Sequence, residues 1–180
     1  MVNLDKRKVE VKEHKKEWNT LYEKEKIKLT DIFKDILEDI HHIGSTAIPN
    51  IKAKPVIDIM VVVQDINEVD QFNKEMIALG YEPKGEFGIK NRRFFQKGGN
   101  NRTHHVHVFP KGSKEVQRHL NFLDYMRAHP HKARQYSQLK ETLAAKYPND
   151  IDKYIEGKND FIKEIDREAA KWAADDHQKC

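Results

Sequence analysis

Pro55-Val56-Ile57-Asp58-Ile59-Met60-Val61-Val62-Val63 is apolar on both alternating faces, with one carboxylate set into it. Such a run predicts a strand from Val56 to Gln64, buried on both sides within an α/β layer. A carboxylate there is costly unless a cation or hydrogen-bond donors compensate it. Upstream, Gly44-Ser45-Thr46 follows a short extended segment, Ile40 to Ile43, and Pro49 and Pro55 bracket the intervening loop. Glycine lets the backbone turn tightly and approach a ligand closely. Two hydroxyls and exposed backbone N–H groups can bind phosphate oxygens, and Lys54 adds a cation. Alone, the triplet is equally a plain turn or cap, and Asp58 equally a structural carboxylate paired with Arg or Lys. Together they point to phosphate beside carboxylate, which implies a divalent cation between them, ordinarily Mg²⁺.

Working outward, apolar residues from Glu17 to Asp39 recur at helical spacing: Trp18, Leu21, Tyr22, Ile27, Leu29, Ile32, Phe33, Ile36, Leu37. This predicts one long helix, or two joined near Thr30-Asp31. Lys8 to Val11 alternates Val with charge and suggests a short edge strand. Asn67 to Leu79 reads as an amphipathic helix stopped by Gly80. Arg92 to Lys97 and Thr103 to Phe109 read as strands joined by Gly98-Gly99-Asn100-Asn101. Ser113 caps a helix reaching about Ala128, Pro130 breaks it, a second helix runs to Tyr147, and Pro148-Asn149-Asp150 opens a third. The expected fold is α/β (α+β), a mixed sheet of about four to six strands flanked by helices, with a C-terminal helical tail. The chain is expected to be a single domain over 1–180, with its core at about 8–112 and the helical extension at about 113–178.

The 180 residues are 38% hydrophobic and 34% charged, which suits a modest core inside long, charged helices. The net charge of +4 is too small, and too evenly mixed with acids, to argue for nucleic acid by itself, and nucleic acid is not the expected partner. The single cysteine, Cys180, excludes an internal disulfide framework and a Cys-based zinc site. With no apolar leader and no run of ~18–20 apolar residues, the expected location is the cytoplasm, with no membrane partner. The Glu/Lys-rich helices suit a homodimer and solvated helices equally.

On the Thr103–Phe109 strand, His105 and His107 share a face. Asp58, His105 and His107 are candidates for a transition-metal set, because imidazole suits Zn²⁺ or Mn²⁺. They are equally candidates for general bases or phosphate partners. Structural histidines without a role are the plain alternative. His41, His42 and His104 fall near the same expected cleft. Arg92 and Arg93 take opposite faces of their strand, so one of them can fork a phosphate. The surrounding run, with Lys97 and Arg102, is otherwise a solvated surface.

The arrangement resembles the nucleotidyltransferase superfamily, in which Gly-Ser follows a helix and an Asp-x-Asp strand comes after it. More closely, several stretches resemble the GrpB family in order. They are His42-Ile43-Gly44-Ser45-Thr46-Ala47-Ile48-Pro49, Ala53-Lys54-Pro55-Val56-Ile57-Asp58-Ile59, Arg92-Arg93-Phe94-Phe95-Gln96-Lys97-Gly98 and Arg102-Thr103-His104-His105-Val106-His107-Val108. Phe122-Leu123-Asp124-Tyr125-Met126-Arg127 and Tyr154-Ile155-Glu156-Gly157-Lys158 extend the match to roughly residues 8–165. The resemblance implies Gly44, Ser45, Thr46, Lys54, Arg92, Arg93 and Lys158 as phosphate or substrate ligands. Asp58 matches the superfamily's first strand carboxylate, and its third would fall on the strand that instead offers His105 and His107; these three are the candidate catalytic residues and ligands for Mg²⁺ or Mn²⁺, with Zn²⁺ as a further candidate. The expected partner is a nucleoside triphosphate or a phosphorylated small molecule.

The superfamily pattern departs at position 60. Two carboxylates two residues apart hold the paired metals in active members, yet position 60 is Met60, and a thioether is a poor Mg²⁺ ligand. Three functions therefore stand. One is metal-dependent transfer of a nucleotidyl group to an acceptor. Another is a nucleotide-binding module without turnover. The third is a His-based phosphohydrolase, since His105-Val106-His107-Val108-Phe109 partly resembles the histidine-triad signature.

Overall fold

The structure, a computed structural model, describes residues 7–178, with side chains as far as Asp175. Cys180 lies outside the described residues. Two compact units emerge. One is a sheet unit of residues 15–44 and 56–116; the other is a helical unit of Ser45–Pro55, the chain from Gln117 onward and the segment ending at His14.

The sheet unit begins with α1 (Glu17–Phe33), whose buried face is Trp18, Tyr22, Glu25, Leu29 and Phe33. Steps of three and four keep these on one stripe. Leu29 and Phe33 are fully buried, each contributing about 1.5–3 kcal/mol. The strands are β1 (Leu37–Ile43), β2 (Ile57–Val63), β3 (Tyr81–Pro83), β4 (Arg93–Lys97) and β5 (His104–Pro110). They form one mixed sheet in the order β1-β2-β5-β4-β3, parallel at β2–β5 and antiparallel elsewhere. Every residue of β2 is buried except Asp58. The β4–β5 hairpin matches the sequence expectation, starting one residue later on each strand.

Three expectations are corrected. The first helix runs straight through Thr30-Asp31 and ends at Phe33, because Leu37 onward pairs with β2, Leu37 opposite Val63. Sheet pairing takes Leu37 out of a run whose spacing alone is helical, and Ile36 lies in the turn before it. Leu21 and Ile27, also counted in that run, are 41% and 72% exposed. The Asn67–Leu79 helix opens as a 3-10 helix, Ile66–Phe72, before α2 (Asn73–Ala78). The Asp65 carboxylate accepts the Asn67 N–H at 2.9 Å and caps that start. Lys8 to Val11 forms no strand; the Val9 N–H donates to the Pro148 carbonyl at 3.0 Å, and a single bridge, Lys12 to Ala53, follows the segment.

The helical unit contains most of α3 (Lys114–Ala128), with α4 (Pro130–Lys146) and α5 (Ile151–Gln178). Pro130 begins α4, where the missing N–H costs nothing. The Asp150 carboxylate accepts the Lys153 N–H at 3.1 Å and starts α5. Ala47, Ile48 and Ile51 join Leu123, Met126, Tyr136, Ile165 and Ala169 in its core. No helix among the described residues is long and apolar enough to cross a membrane.

Candidate functional site

Register assembles the site in the sheet unit. The parallel β2–β5 ladder sets Asp58 opposite His105 and Met60 opposite His107. The β4–β5 ladder adds Gln96 opposite His105 and Phe94 opposite His107. Directly opposite residues share a sheet face, so these six side chains point the same way. Ile43 lies opposite Asp58 on the other flank, and Gly44 follows it at φ 75°. A Cβ on Gly44 would stand 2.7 Å from Asp58 Oδ2. The glycine is therefore required twice, by its left-handed backbone and by the carboxylate beside it.

His107 Nε2 lies 3.3 Å from Asp58 Oδ1, and His105 Nδ1 lies 3.5 Å from the same oxygen. Each ring also faces a guanidinium. Arg92 Nη1 is 3.4 Å from His107 Nδ1, and Arg102 Nη1 is 3.5 Å from His105 Nε2. Arginine only donates, so the nitrogens facing it accept and the opposite nitrogens carry their protons toward Asp58. The result is a chain, Arg92–His107–Asp58–His105–Arg102, of long and individually weak bonds. Burial opposes ionisation of Asp58, but the donors of His105 and His107 outweigh it and hold the carboxyl well below the usual range.

Arg92 is nearly buried. Its Nε donates to the Glu86 carbonyl at 3.2 Å, its Nη2 to the Phe87 carbonyl at 2.7 Å, and it stacks 5.0 Å from the Phe94 ring centroid. Burial pulls its pKa down from the ordinary arginine value. Arg93 points elsewhere and pairs with Asp70 at 2.8 Å. Met60, on the Asp58 face, is fully buried.

The tautomers bear on the expected metal. With protons on the nitrogens that face Asp58, neither imidazole offers that point a lone pair. Presenting one would require a proton on the nitrogen that faces a guanidinium donor. Among the described residues no group of three or more His, Cys, Asp or Glu side chains is placed to hold a metal ion. Asp58, His105 and His107 meet as the sequence suggests, but as a hydrogen-bonded chain that does not fit a shared transition metal.

Two of the other histidines separate from the expected cleft. His42 and His104 alternate onto the opposite face, where His42 stacks on Tyr22 at 4.8 Å and His104 lies 3.9 Å from Glu25. His41, opposite Met60, stays on the Asp58 face, and its Nε2 approaches Asp39 at 3.1 Å. On that opposite face Glu25, 3% exposed, accepts from Tyr81 Oη and Lys97 Nζ, each at 2.8 Å. Burial raises the Glu25 pKa, but the donors of Lys97 and Tyr81 bring it below the usual value. Nothing in the sequence pattern singled out Glu25 except a charge on the apolar stripe of α1.

The remaining expected ligands belong to the helical unit. Ser45 and Thr46 open a 3-10 turn, Ser45–Ala47, in which Thr46 is buried and the Ser45 carbonyl accepts the Ile48 N–H at 3.1 Å. Lys54 Nζ and Lys158 Nζ lie 5.2 and 4.7 Å from the Tyr154 ring centroid. Lys140, which sequence reading passed over, sits on the buried stripe of α4 with Ala133, Tyr136 and Leu143. A lysine at that register is the signal that was available.

Comparison with known proteins follows the same motifs. The family model described as GrpB protein matches residues 8–168. The UPF0157 protein YqkA of Bacillus subtilis is 49% identical over 93% of this chain, which spans only about half (49%) of YqkA. The crystal structure of conserved protein GrpB from Enterococcus faecalis has TM-score 0.88 and 42% identity, covering 91% of this chain and 99% of that one. Cid1 in complex with the UTP analog UMPNPP shares the fold at TM-score 0.51 and 15% identity, over 74% of this chain and 42% of Cid1. The fold is thus nucleotidyltransferase-like, and the chain belongs to the GrpB family.

Proposed function

We propose that this chain binds a nucleotide or a phosphorylated metabolite through the Asp58 face of its sheet, and that it does so without two-metal nucleotidyl transfer. The observation that carries this reading is the Arg92–His107–Asp58–His105–Arg102 chain beside a buried Met60. Two-metal chemistry needs carboxylates on one strand face, and here a thioether and two proton-bearing imidazoles occupy the neighbouring positions. Asp58 instead orients His105 and His107, whose partner guanidinium groups bring positive charge suited to phosphate oxygens. Mg²⁺ or Mn²⁺ enters this reading only as the counter-ion carried by a nucleotide, with Asp58 as the nearby carboxylate. A His nucleophile is not favoured, because the lone-pair nitrogens are directed at arginines. The nucleotidyltransferase-like fold, shared with a protein solved around a UTP analog, supports a nucleotide as the ligand class.

Calorimetric titration with ATP, GTP, CTP and UTP, each with Mg²⁺ or Mn²⁺, tests the proposal. At least one is expected to bind, with no labelled nucleotide transferred or hydrolysed. Absence of binding at about 1 mM, the range of only about −4 kcal/mol, overturns the binding claim. Turnover abolished by Asp58→Asn overturns the claim of lost chemistry.

A further inference from the structure

The helical unit holds two buried polar groups without a hydrogen-bond partner among the described residues. Lys140 is 1% exposed and Tyr154 is fully buried. Lys140 Nζ and Tyr154 Oη have no hydrogen-bond partner among the described residues. Buried polar groups are nearly always satisfied, so two orphans in one small region call for a reason. The charges that act on Lys140 are those of Lys158 and Lys54. Lys54 and Lys158, both half-buried, lie against the Tyr154 ring, and Lys140 Nζ lies 4.4 Å from the Tyr136 centroid.

We propose that Lys54, Lys140 and Lys158, with the Tyr154 hydroxyl, form an oxyanion site for a phosphate group, in which Lys140 and Tyr154 are the buried donors. The donor set has the right chemistry. Ammonium groups and a phenol can each donate to a different oxygen of a tetrahedral anion, and a doubly charged anion balances like charges held close together. Three elements supply the groups: the segment before β2, α4 and α5.

The site also has a proton ledger. Burial, then the charges of Lys158 on α5 and Lys54 on the 45–55 segment, depress the Lys140 pKa to about 6. Tyr136 on its own helix lies against Lys140, Tyr154 on α5 interacts with Tyr136, and neighbouring Glu141 is engaged by Lys52 at 2.8 Å. Lys140 is therefore mainly neutral at pH 7.5 without an anion. A bound anion restores the ammonium, so binding takes up a proton from solvent. This inference stands independently of the reading of Asp58, and inorganic anions test it without a nucleoside.

Sulfate is the cleanest probe because it does not itself titrate near neutral pH. The full chain is titrated with sulfate by calorimetry at pH 7.5 in Tris and in HEPES, whose ionisation enthalpies differ. Saturable binding with uptake approaching one proton per sulfate is expected. Lys140→Met is expected to stay folded, to keep or raise its melting temperature, and to lose the proton uptake. Tyr154→Phe removes only the hydroxyl and is expected to weaken binding about tenfold, the loss of one charge-assisted hydrogen bond. Lys153→Met, at an exposed lysine of the same helix, is the control and is expected to bind as the parent does. Phosphate, pyrophosphate, tripolyphosphate and ATP separate the sources. ATP bound no more tightly than tripolyphosphate assigns the site to phosphate groups as such, and tighter ATP assigns it to a nucleotide. No saturable binding of any of these anions at millimolar concentration overturns the proposal. So does unchanged binding in Lys140→Met, or equal loss in Lys153→Met.

Discussion

The two units treat buried charge in opposite ways. In the sheet unit Glu25 is buried among Lys97, Tyr81 and His104, and the partly buried Asp58 lies between His105 and His107, so each carboxylate meets donors. In the helical unit Lys140 is as deeply buried, yet its nearest charges are lysines and its Nζ has no partner among the described residues. The first pattern is what structure requires of a charge taken out of water. The second leaves a cost standing in the free protein, and a cost of that kind is what an anion would relieve. Paired charge here marks architecture and a fixed site; unpaired charge marks an expected ligand.

Breaking the paired side should cost most. Glu25→Ala strands Lys97 and Tyr81 at the junction of α1, β3 and β4. A buried pair broken at one partner loses about 3–5 kcal/mol, and the partial exposure of Lys97 places this one near about 3 kcal/mol by urea unfolding. Gly44→Ala should follow at about 2 kcal/mol, because the left-handed backbone and the Asp58 carboxylate both oppose a Cβ. Its second readout is displacement of the His105 and His107 imidazole resonances, which backbone strain alone would leave in place.

The lysine should respond with the opposite sign. Lys140→Met is expected to stabilise the free protein by about 1 kcal/mol at neutral pH, since an apolar group replaces an unpaired buried amine. The gain depends on pH. Between about 6, the folded value, and 10.5, the ordinary one, the unfolded chain holds a proton that the folded chain lacks. Parent stability therefore rises with pH across that window, and the advantage of the Met variant shrinks toward its upper end. Asp58 gives a slope of the same sign in a lower window, at acid pH. Its folded pKa is depressed, so its contribution is complete above the ordinary carboxylate value of about 4 and fades as pH falls below it. Asp58→Asn should flatten that acid limb of the melting curve.

The smallest effect sharpens which arginine matters. Arg93→Ala breaks a bridge whose Asp70 side chain is 56% exposed, and should change stability by less than about 1 kcal/mol. Arg92→Ala removes donors to two carbonyls and to His107, and should alter both nucleotide affinity and the histidine resonances. Equal effects of the two substitutions would erase the distinction that the geometry draws between them.

Local pattern carried a good part of this protein. β2 is apolar on both faces over its whole length, so no other element suits it, and the β4–β5 hairpin is announced by its glycines and asparagines. The alternation of His105 with His107 is a property of any strand, and Gly44 is the residue that a left-handed backbone demands. Those features depend on neighbours within a few positions. The end of α1, the choice between Arg92 and Arg93, the carboxylate knot at Glu25 and the orphaned Lys140 depend on partners far away in the chain. Leu37 fits a helix by spacing and becomes strand because β2 offers it hydrogen bonds, with Ile36 in the turn before it. Lys140 looks like any solvated helix lysine until packing removes its water and sets two more lysines nearby. Periodicity is written residue by residue, whereas desolvation and charge pairing exist only once distant segments meet, and on those two quantities rests the chemistry proposed for both units.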